Sequence, residues 1–291
     1  MSQYDTTLDL SVSNTSHAQV LGLVPAGSTV LDVGCATGYL AEALTARGCT
    51  VSGVEYDPEA AEKARPHLDH LVVGDLATMD VAAEFGDRTY DVLVFADVLE
   101  HVADPADVLR RLLTLLRPGG SVVASIPNVA HGSLRLALLQ GRWEYTEVGL
   151  LDRTHIRFFT RTSVLELLAE TGLAAVDLRT TVRDPLSADV AIDADALPPG
   201  VVDWVRRQED ALTFQFVLRA VRDDADAALS RTVAEREQLR SQVAALRTSA
   251  DTARAERDAA VSSLQQVQST LGWRLLRLPR AVYGRLRGAA R

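Results

Sequence analysis

The chain has 291 residues, enough for one large domain or two smaller ones, and its 47% hydrophobic content is ordinary for a globular protein. The net charge is −9, but Gly272–Arg291 carries six arginines and no acid, which leaves −15 on the rest. Such an acidic body lacks the distributed positive charge of a nucleic-acid groove and excludes that class of partner. No run of 18 apolar residues occurs, so no membrane-spanning helix is expected. The first 17 residues lack the basic start and apolar core of a secretory leader. Two cysteines, Cys35 and Cys49, are too few for a disulfide framework, and a reduced cytoplasmic setting is expected.

Residues 1–27 are set apart as an N-terminal segment. From about residue 29 to 126, short apolar strands alternate with helical stretches. Val30–Val33 reads as a strand and Tyr39–Arg47 as a helix; Thr50–Glu55 is a strand, followed by a helix over Pro58–Pro66 entered at proline. His70–Val73 and Asp91–Ala96 read as strands. The helix Pro105–Leu116 ends at Pro118-Gly119-Gly120 and is followed by a strand over Ser121–Ile126. Apolar runs buried on both faces, alternating with helices, predict a parallel sheet in a doubly wound α/β domain. Pro127–His155 is less regular. Thr162–Thr171 is helical, and Ala174–Val182 and Leu212–Val221 alternate like strands that close the sheet as an antiparallel pair. The folded domain is thus expected over 28–221.

Between Ala225 and Leu271 there is no Gly or Pro, and apolar residues recur at heptad spacing, including Leu229, Leu239, Val243, Leu246, Leu264 and Val267. A long helix is expected over 225–271, self-associating as a coiled coil despite Arg236 and Arg257 in its seam. Residues 272–291 form a basic tail in which Trp273, Leu275, Leu276, Tyr283 and Leu286 stand among arginines. That composition suits an anionic membrane surface, on the inner face of the cytoplasmic membrane.

The chemistry starts at Val30–Leu40, VLDVGCATGYL. A buried strand ends in the small-residue loop Gly34, Cys35, Ala36, Thr37 and Gly38 and opens a helix, which brings backbone N–H groups close to a ligand. The spacing is Asp-x-Gly-x-Ala-x-Gly rather than the dinucleotide G-x-G-x-x-G. It resembles the cofactor loop of class I S-adenosylmethionine (SAM) methyltransferases, which have Gly where this chain has Ala36. Phe95–Val102 and Leu116–Gly120 also resemble that family's later motifs. The resemblance covers about 28–126 well, 150–221 more loosely, and the helical tail not at all. It implies a Rossmann-like methyltransferase fold with a mostly parallel seven-stranded sheet, followed here by the long C-terminal helix. It also implies a donor site along the strand ends. Asp32, Gly34, Cys35, Ala36 and Gly38 would wall the methionine portion, and Glu55 would accept both ribose hydroxyls. Tyr56 would lie against the adenine, Asp75 would accept its amino group with Leu76 beside it in the cofactor site, and Ala96 and Asp97 would face the methionyl amino group.

The acceptor side is expected in Pro127–Thr160, beyond the last parallel strand. Leu151–Thr160, LDRTHIRFFT, resembles a segment of methyltransferases from bacterial polysaccharide and glycan gene clusters. A hydroxyl is a poor nucleophile at neutral pH, and a base that takes its proton contributes roughly 10²–10⁴-fold. His155 is the first candidate base and His131 the second, with Asp152 orienting either; each also reads as a structural residue. Trp143 and Tyr145 are equally suited to stacking on a sugar or to a lid core. Asp97, Glu100 and His101 have the donor types of a divalent-ion site, and some quinone-pathway methyltransferases that resemble this stretch bind an ion there. Packing under the active site is the favoured reading of Glu100 and His101, so no metal is assigned.

The sequence is therefore read as a SAM-dependent methyltransferase acting on a hydroxyl of a sugar or glycan intermediate. A small-molecule or quinone-like acceptor is one alternative. A SAM-binding scaffold that organises a glycan assembly complex through its coiled coil is another.

Overall fold

Seven strands make one sheet: β1 (Thr29–Val33), β2 (Thr50–Glu55), β3 (His70–Val73), β4 (Tyr90–Ala96), β5 (Leu116–Pro127), β6 (Leu173–Val182) and β7 (Thr213–Arg222). Their order is β3-β2-β1-β4-β5-β7-β6. β1 to β5 pair in parallel, and β7 runs antiparallel to both β5 and β6. The computed structural model describes residues 14–224 together with 257 and 259–262. The chain divides into two units, Met1–Thr232 and Val233–Arg291. The described residues of the second unit are helical and exposed, and the rest of the expected coiled coil and basic tail lies outside the described residues.

Alternation along β4 shows why the sheet is covered on both faces. Leu93 and Phe95 join one core layer with Leu109 and Leu112 of α5 (Pro105–Leu112) and Leu167 of α7 (Arg161–Glu170). Val92 and Val94 join the other, with Val20 of α1 (Ser16–Leu23) and Leu40 and Leu44 of α2 (Tyr39–Thr45). Successive strand residues point to opposite faces, so a continuous apolar run feeds both layers. α3 (Pro58–Ala64) and α4 (Val81–Phe85) complete the crossovers, each started by an aspartate cap, Asp57 and Asp80. α7 starts at a reciprocal Thr160–Ser163 cap.

The expected strands and helices are found, with shifted ends. The helix expected to run to Leu116 stops at Leu112 and tightens into a 3₁₀ turn over Leu113–Leu115. β5 begins early because Leu116 already pairs with Tyr90, across an irregularity in the register that absorbs Pro118-Gly119-Gly120. Four helices were not foreseen, among them α4 between β3 and β4. α1 lies within the stretch set apart as 1–27, and its Val20, Leu21 and Leu23 are buried. α6 (Gly132–Leu139) and α8 (Val201–Arg206) lie in stretches read as irregular. The α6 text, GSLRLALL, is apolar nearly all round and shows no helical period, because Leu134 and Leu136 pack into two different clusters.

The strand order reverses between β1 and β4. In open α/β sheets this leaves a crevice at the carboxyl ends of those two strands. The candidate residues gather there.

Candidate functional site

β1 delivers Asp32 into the sheet and the loop Gly34–Gly38 beyond it. Gly34 and Gly38 have left-handed backbone, φ 73° and 83°, and Ala36 adopts φ 47°. The alanine methyl is accommodated, at the cost of a conformation that favours glycine. At Gly38 a Cβ would sit 2.7 Å from Ala64 Cα, so the first turn of α2 meets the end of α3 only through glycine. Cys35 is buried, and its thiol is pushed up first by that burial and then by Asp32 and Glu55. Asp32 is 2% exposed, and its Oδ2 has no hydrogen-bond partner. Burial, with Glu55 adding to it, pushes its pKa up to about 7.

Glu55 ends β2 as expected. Its Oε2 accepts from the Ala36 amide at 2.8 Å and its Oε1 from the Asp57 amide at 2.9 Å, so the carboxylate spans loop and strand. Tyr56 is exposed beside it. Asp75 caps the turn after β3 by accepting from the Ala77 amide at 2.8 Å. Arg111 of α5 holds that turn through the Leu76 and Met79 carbonyls. Ala96 ends β4, and Asp97 follows in left-handed backbone, φ 57°. Three side chains fix the Asp97 carboxylate. Ser125 and Gln215 donate to Oδ1 at 2.9 and 2.8 Å, and Ser16 donates to Oδ2 at 3.4 Å. The strand-end acids thus stand as the sequence placed them. Ser16, Ser125 and Gln215 were missed, because they come from α1, β5 and β7 and no local motif marks them.

The acceptor-side residues are rearranged. His131 is fully buried, with Nδ1 against Ser133 Oγ at 2.8 Å and Nε2 against the Arg183 carbonyl at 2.9 Å. Both ring nitrogens are engaged, and burial pulls its pKa down. The expectation that His131 is a second base is therefore corrected: it caps α6 and holds the segment after β6. Asp152 does not touch the His155 ring. Its Oδ1 accepts from Thr154 Oγ1 at 2.6 Å, and Thr154 Oγ1 in turn meets His101 Nδ1 at 3.1 Å. It orients His101 through a hydroxyl.

His155 is buried, beside His101 with ring centroids 4.8 Å apart, and burial and then His101 lower its pKa. Its Nδ1 meets the Leu150 carbonyl at 3.3 Å, and His101 Nδ1 meets the Thr154 carbonyl at 3.2 Å. A carbonyl only accepts, so both rings carry their proton on Nδ1 and present a lone pair at Nε2. His155 Nε2 lies 4.0 Å from Glu100 Oε1. Glu100 is 1% exposed, and neither carboxylate oxygen has a hydrogen-bond partner. Burial, then Asp97 and Asp152, push its pKa well above the usual carboxylate range. Ligand atoms of Glu100, His101 and His155 all lie within 4.8 Å of one another. Two imidazoles and one carboxyl group are the donor types of a transition-cation site, and binding requires Glu100 to enter it ionised. The packing expected of Glu100 is found, but its carboxyl group is buried without the hydrogen-bond partners such a group ordinarily has.

Trp143 is 37% exposed and meets Phe158 edge to face at 5.5 Å, and Tyr145 is 53% exposed. Both rings keep free surface near the rim of this segment.

Residues 15–178 match the family model described as a methyltransferase domain. The ubiquinone biosynthesis O-methyltransferase of Thiobacillus denitrificans is 32% identical over 173 residues, covering 58% of this chain and 75% of the relative. The protein of the same name from Pseudomonas paraeruginosa is 36% identical over 167 residues, 56% and 71% of the two chains. The CcbJ methyltransferase of Streptomyces caelestis superposes with a TM-score of 0.50 at 19% identity, over 76% of this chain and 95% of its own, a likeness of fold.

Proposed function

The chain belongs to the methyltransferase family and takes its methyl group from S-adenosylmethionine; on that premise we propose that it O-methylates a phenolic, quinone-precursor-like small molecule with a divalent cation at Glu100, His101 and His155. The observation that carries this reading is the buried, unpartnered Glu100 carboxylate facing the Nε2 lone pair of His155. The relatives named for ubiquinone biosynthesis support a phenolic acceptor. The sugar or glycan hydroxyl expected from Leu151–Thr160 has no comparable support and gives way to it.

A divalent cation held there supplies Lewis acidity that favours the ionised form of a bound hydroxyl. The protein does the rest by placement. The loop Gly34–Gly38 and Asp97 hold the amino-acid end of the donor, and Glu55 holds its ribose. The acceptor oxygen enters from the side of residues 143–158. Oxygen, methyl carbon and sulfur then lie in line; the hydroxyl proton goes to solvent, the O–C bond forms as the C–S bond breaks, and S-adenosylhomocysteine leaves. Alignment of this kind is the larger share of catalysis in a displacement that needs no covalent intermediate.

The test is methyl transfer by the full chain before and after chelation. The reading expects activity that falls on chelation, returns with Mn²⁺ or Fe²⁺, and is lost in Glu100→Gln with donor binding intact. Activity indifferent to chelation but lost in His155→Ala would instead make His155 the base. Self-association through 225–271 and contact of 272–291 with an anionic membrane are further proposals, tested by the size and liposome flotation of the full chain against one ending at residue 224.

A further inference from the structure

Glu100 and His101 sit on the 3₁₀ turn Leu99–His101 after β4, whereas His155 arrives on a segment that crosses that turn from outside. The crossing is fixed by backbone. The Ile156 and Arg157 amides both donate to the Glu100 carbonyl at 2.9 Å, and the Arg157 guanidinium donates to the Ala103 carbonyl. The two imidazoles are held differently. His155 is buried and meets one acceptor, the Leu150 carbonyl. His101 is only half-buried, so burial alone does not fix its ring, and a neutral imidazole has two tautomers to choose from. Something must choose between them.

We infer that Thr154 is a positioning residue whose hydroxyl, committed to Asp152, fixes the ring of His101 with its proton on Nδ1 and its Nε2 lone pair turned to Glu100 and His155. Thr154 Oγ1 lies 2.6 Å from Asp152 Oδ1, which also accepts from the Thr154 amide at 2.8 Å. An ionised carboxylate only accepts, so the single hydroxyl proton is spent there. The same oxygen lies 3.1 Å from His101 Nδ1 and is left as an acceptor, beside the Thr154 carbonyl at 3.2 Å. The Nδ1 proton therefore meets two acceptors from one residue. The opposite tautomer would set the Nδ1 lone pair against both of them and put the proton on Nε2, where a cation would have to bind. Asp152 is 6% exposed, so little water competes for the hydroxyl. The chain from carboxylate to hydroxyl to imidazole orients the ring and makes Nε2 a better electron-pair donor, the role that outer partners play for a ligating histidine.

The consequence for a cation rests on the reading proposed above; the tautomer does not, and the experiment separates them. Ring-nitrogen resonances of the ¹⁵N-histidine-labelled full chain are recorded without added cation at about pH 9, above the ordinary histidine range, with His101→Gln assigning the signals. The wild type is expected to show His101 protonated on Nδ1. Thr154→Val, equal in shape but without the hydroxyl, is expected to give mixed tautomers, and Thr154→Ser to restore the wild-type spectrum. Mn²⁺ affinity should fall about 10–100-fold in Thr154→Val and recover in Thr154→Ser, with unchanged S-adenosylhomocysteine affinity reporting an intact fold. A wild-type His101 protonated on Nε2 overturns the inference, and so does a Thr154→Val spectrum like that of wild type, whatever Mn²⁺ does. A tautomer that shifts in Thr154→Val while even the wild type binds no Mn²⁺ upholds the role of Thr154 and removes the cation reading alone.

Discussion

His155 Nε2 faces Glu100 Oε1 across 4.0 Å, with both side chains buried and no hydrogen bond between them. The separation is too long for a hydrogen bond and suits two ligands of one ion. Titrating the full chain with Mn²⁺, followed by paramagnetic resonance, is expected to give a single tight site. Removing a ligand should cost more than the 10–100-fold seen for supporting residues, so Glu100→Gln and His155→Ala should each weaken Mn²⁺ by about a hundredfold or more. Unchanged Mn²⁺ affinity in both variants would remove the site.

Asp32 gives stability a pH dependence of definite sign. Its pKa is about 7 in the folded chain against an ordinary 3.8. Between those values the folded state holds a proton that the unfolded state has lost, so the contribution is present below pH 4 and is lost as pH rises towards 7. Denaturant unfolding of the donor-free protein should show wild type losing stability relative to Asp32→Asn over that interval, and the two running parallel above it. The donor's ammonium reverses the balance, and binding near pH 6 should release a proton, visible as a buffer-dependent heat. Parallel profiles throughout and no proton release would contradict the assignment.

Glu55 tests the ribose contact. Two hydrogen bonds to a carboxylate are worth about 1.5–3 kcal/mol each, so Glu55→Ala should weaken S-adenosylhomocysteine by about a hundredfold or more. Circular dichroism should stay unchanged, since Glu55 lies at the half-exposed end of β2. Affinity within threefold of wild type would exclude the role.

Gly38 tests the loop geometry. Alanine there meets both a left-handed backbone and a Cβ only 2.7 Å from Ala64 Cα. Overlap with backbone of this kind costs about 1–3 kcal/mol, and the first turn of α2 must shift to relieve it. Thermal unfolding should fall and donor affinity with it.

His131→Ala separates structure from chemistry. Deleting a buried ring that meets Ser133 and the Arg183 carbonyl should cost about 2–4 kcal/mol in denaturant unfolding. The turnover per folded molecule should hold. A lost turnover with intact stability would return His131 to the reaction.

The placement of the strand-end acids was legible because it is local. The loop after β1, Glu55, Asp75 and Asp97 each follow an apolar strand run, and the parallel order β3-β2-β1-β4 sets their ends along one edge of the sheet without further information. The acceptor side was legible only in part. His155 and Asp152 were chosen from a short segment, but what each touches depends on residues about fifty positions away. Thr154 meets His101, and the Ile156 and Arg157 amides hang from the Glu100 carbonyl. Ser16, Ser125 and Gln215 converge on Asp97 from three elements distant in sequence, and residue type alone does not mark them. α1 went unread because its eight residues carry little amphipathic contrast, yet it sets Ser16 against Asp97 and His17 against Tyr39.

The most direct test of the central claim follows a labelled methyl group from S-adenosylmethionine into product, with a dihydroxybenzoate and a nucleotide sugar offered side by side in the presence of Mn²⁺. The account predicts a methyl ether on the phenolic acceptor that is lost on chelation and in Glu100→Gln while S-adenosylhomocysteine binding persists. Label carried only by the sugar, or phenolic product undiminished under both conditions, would contradict it.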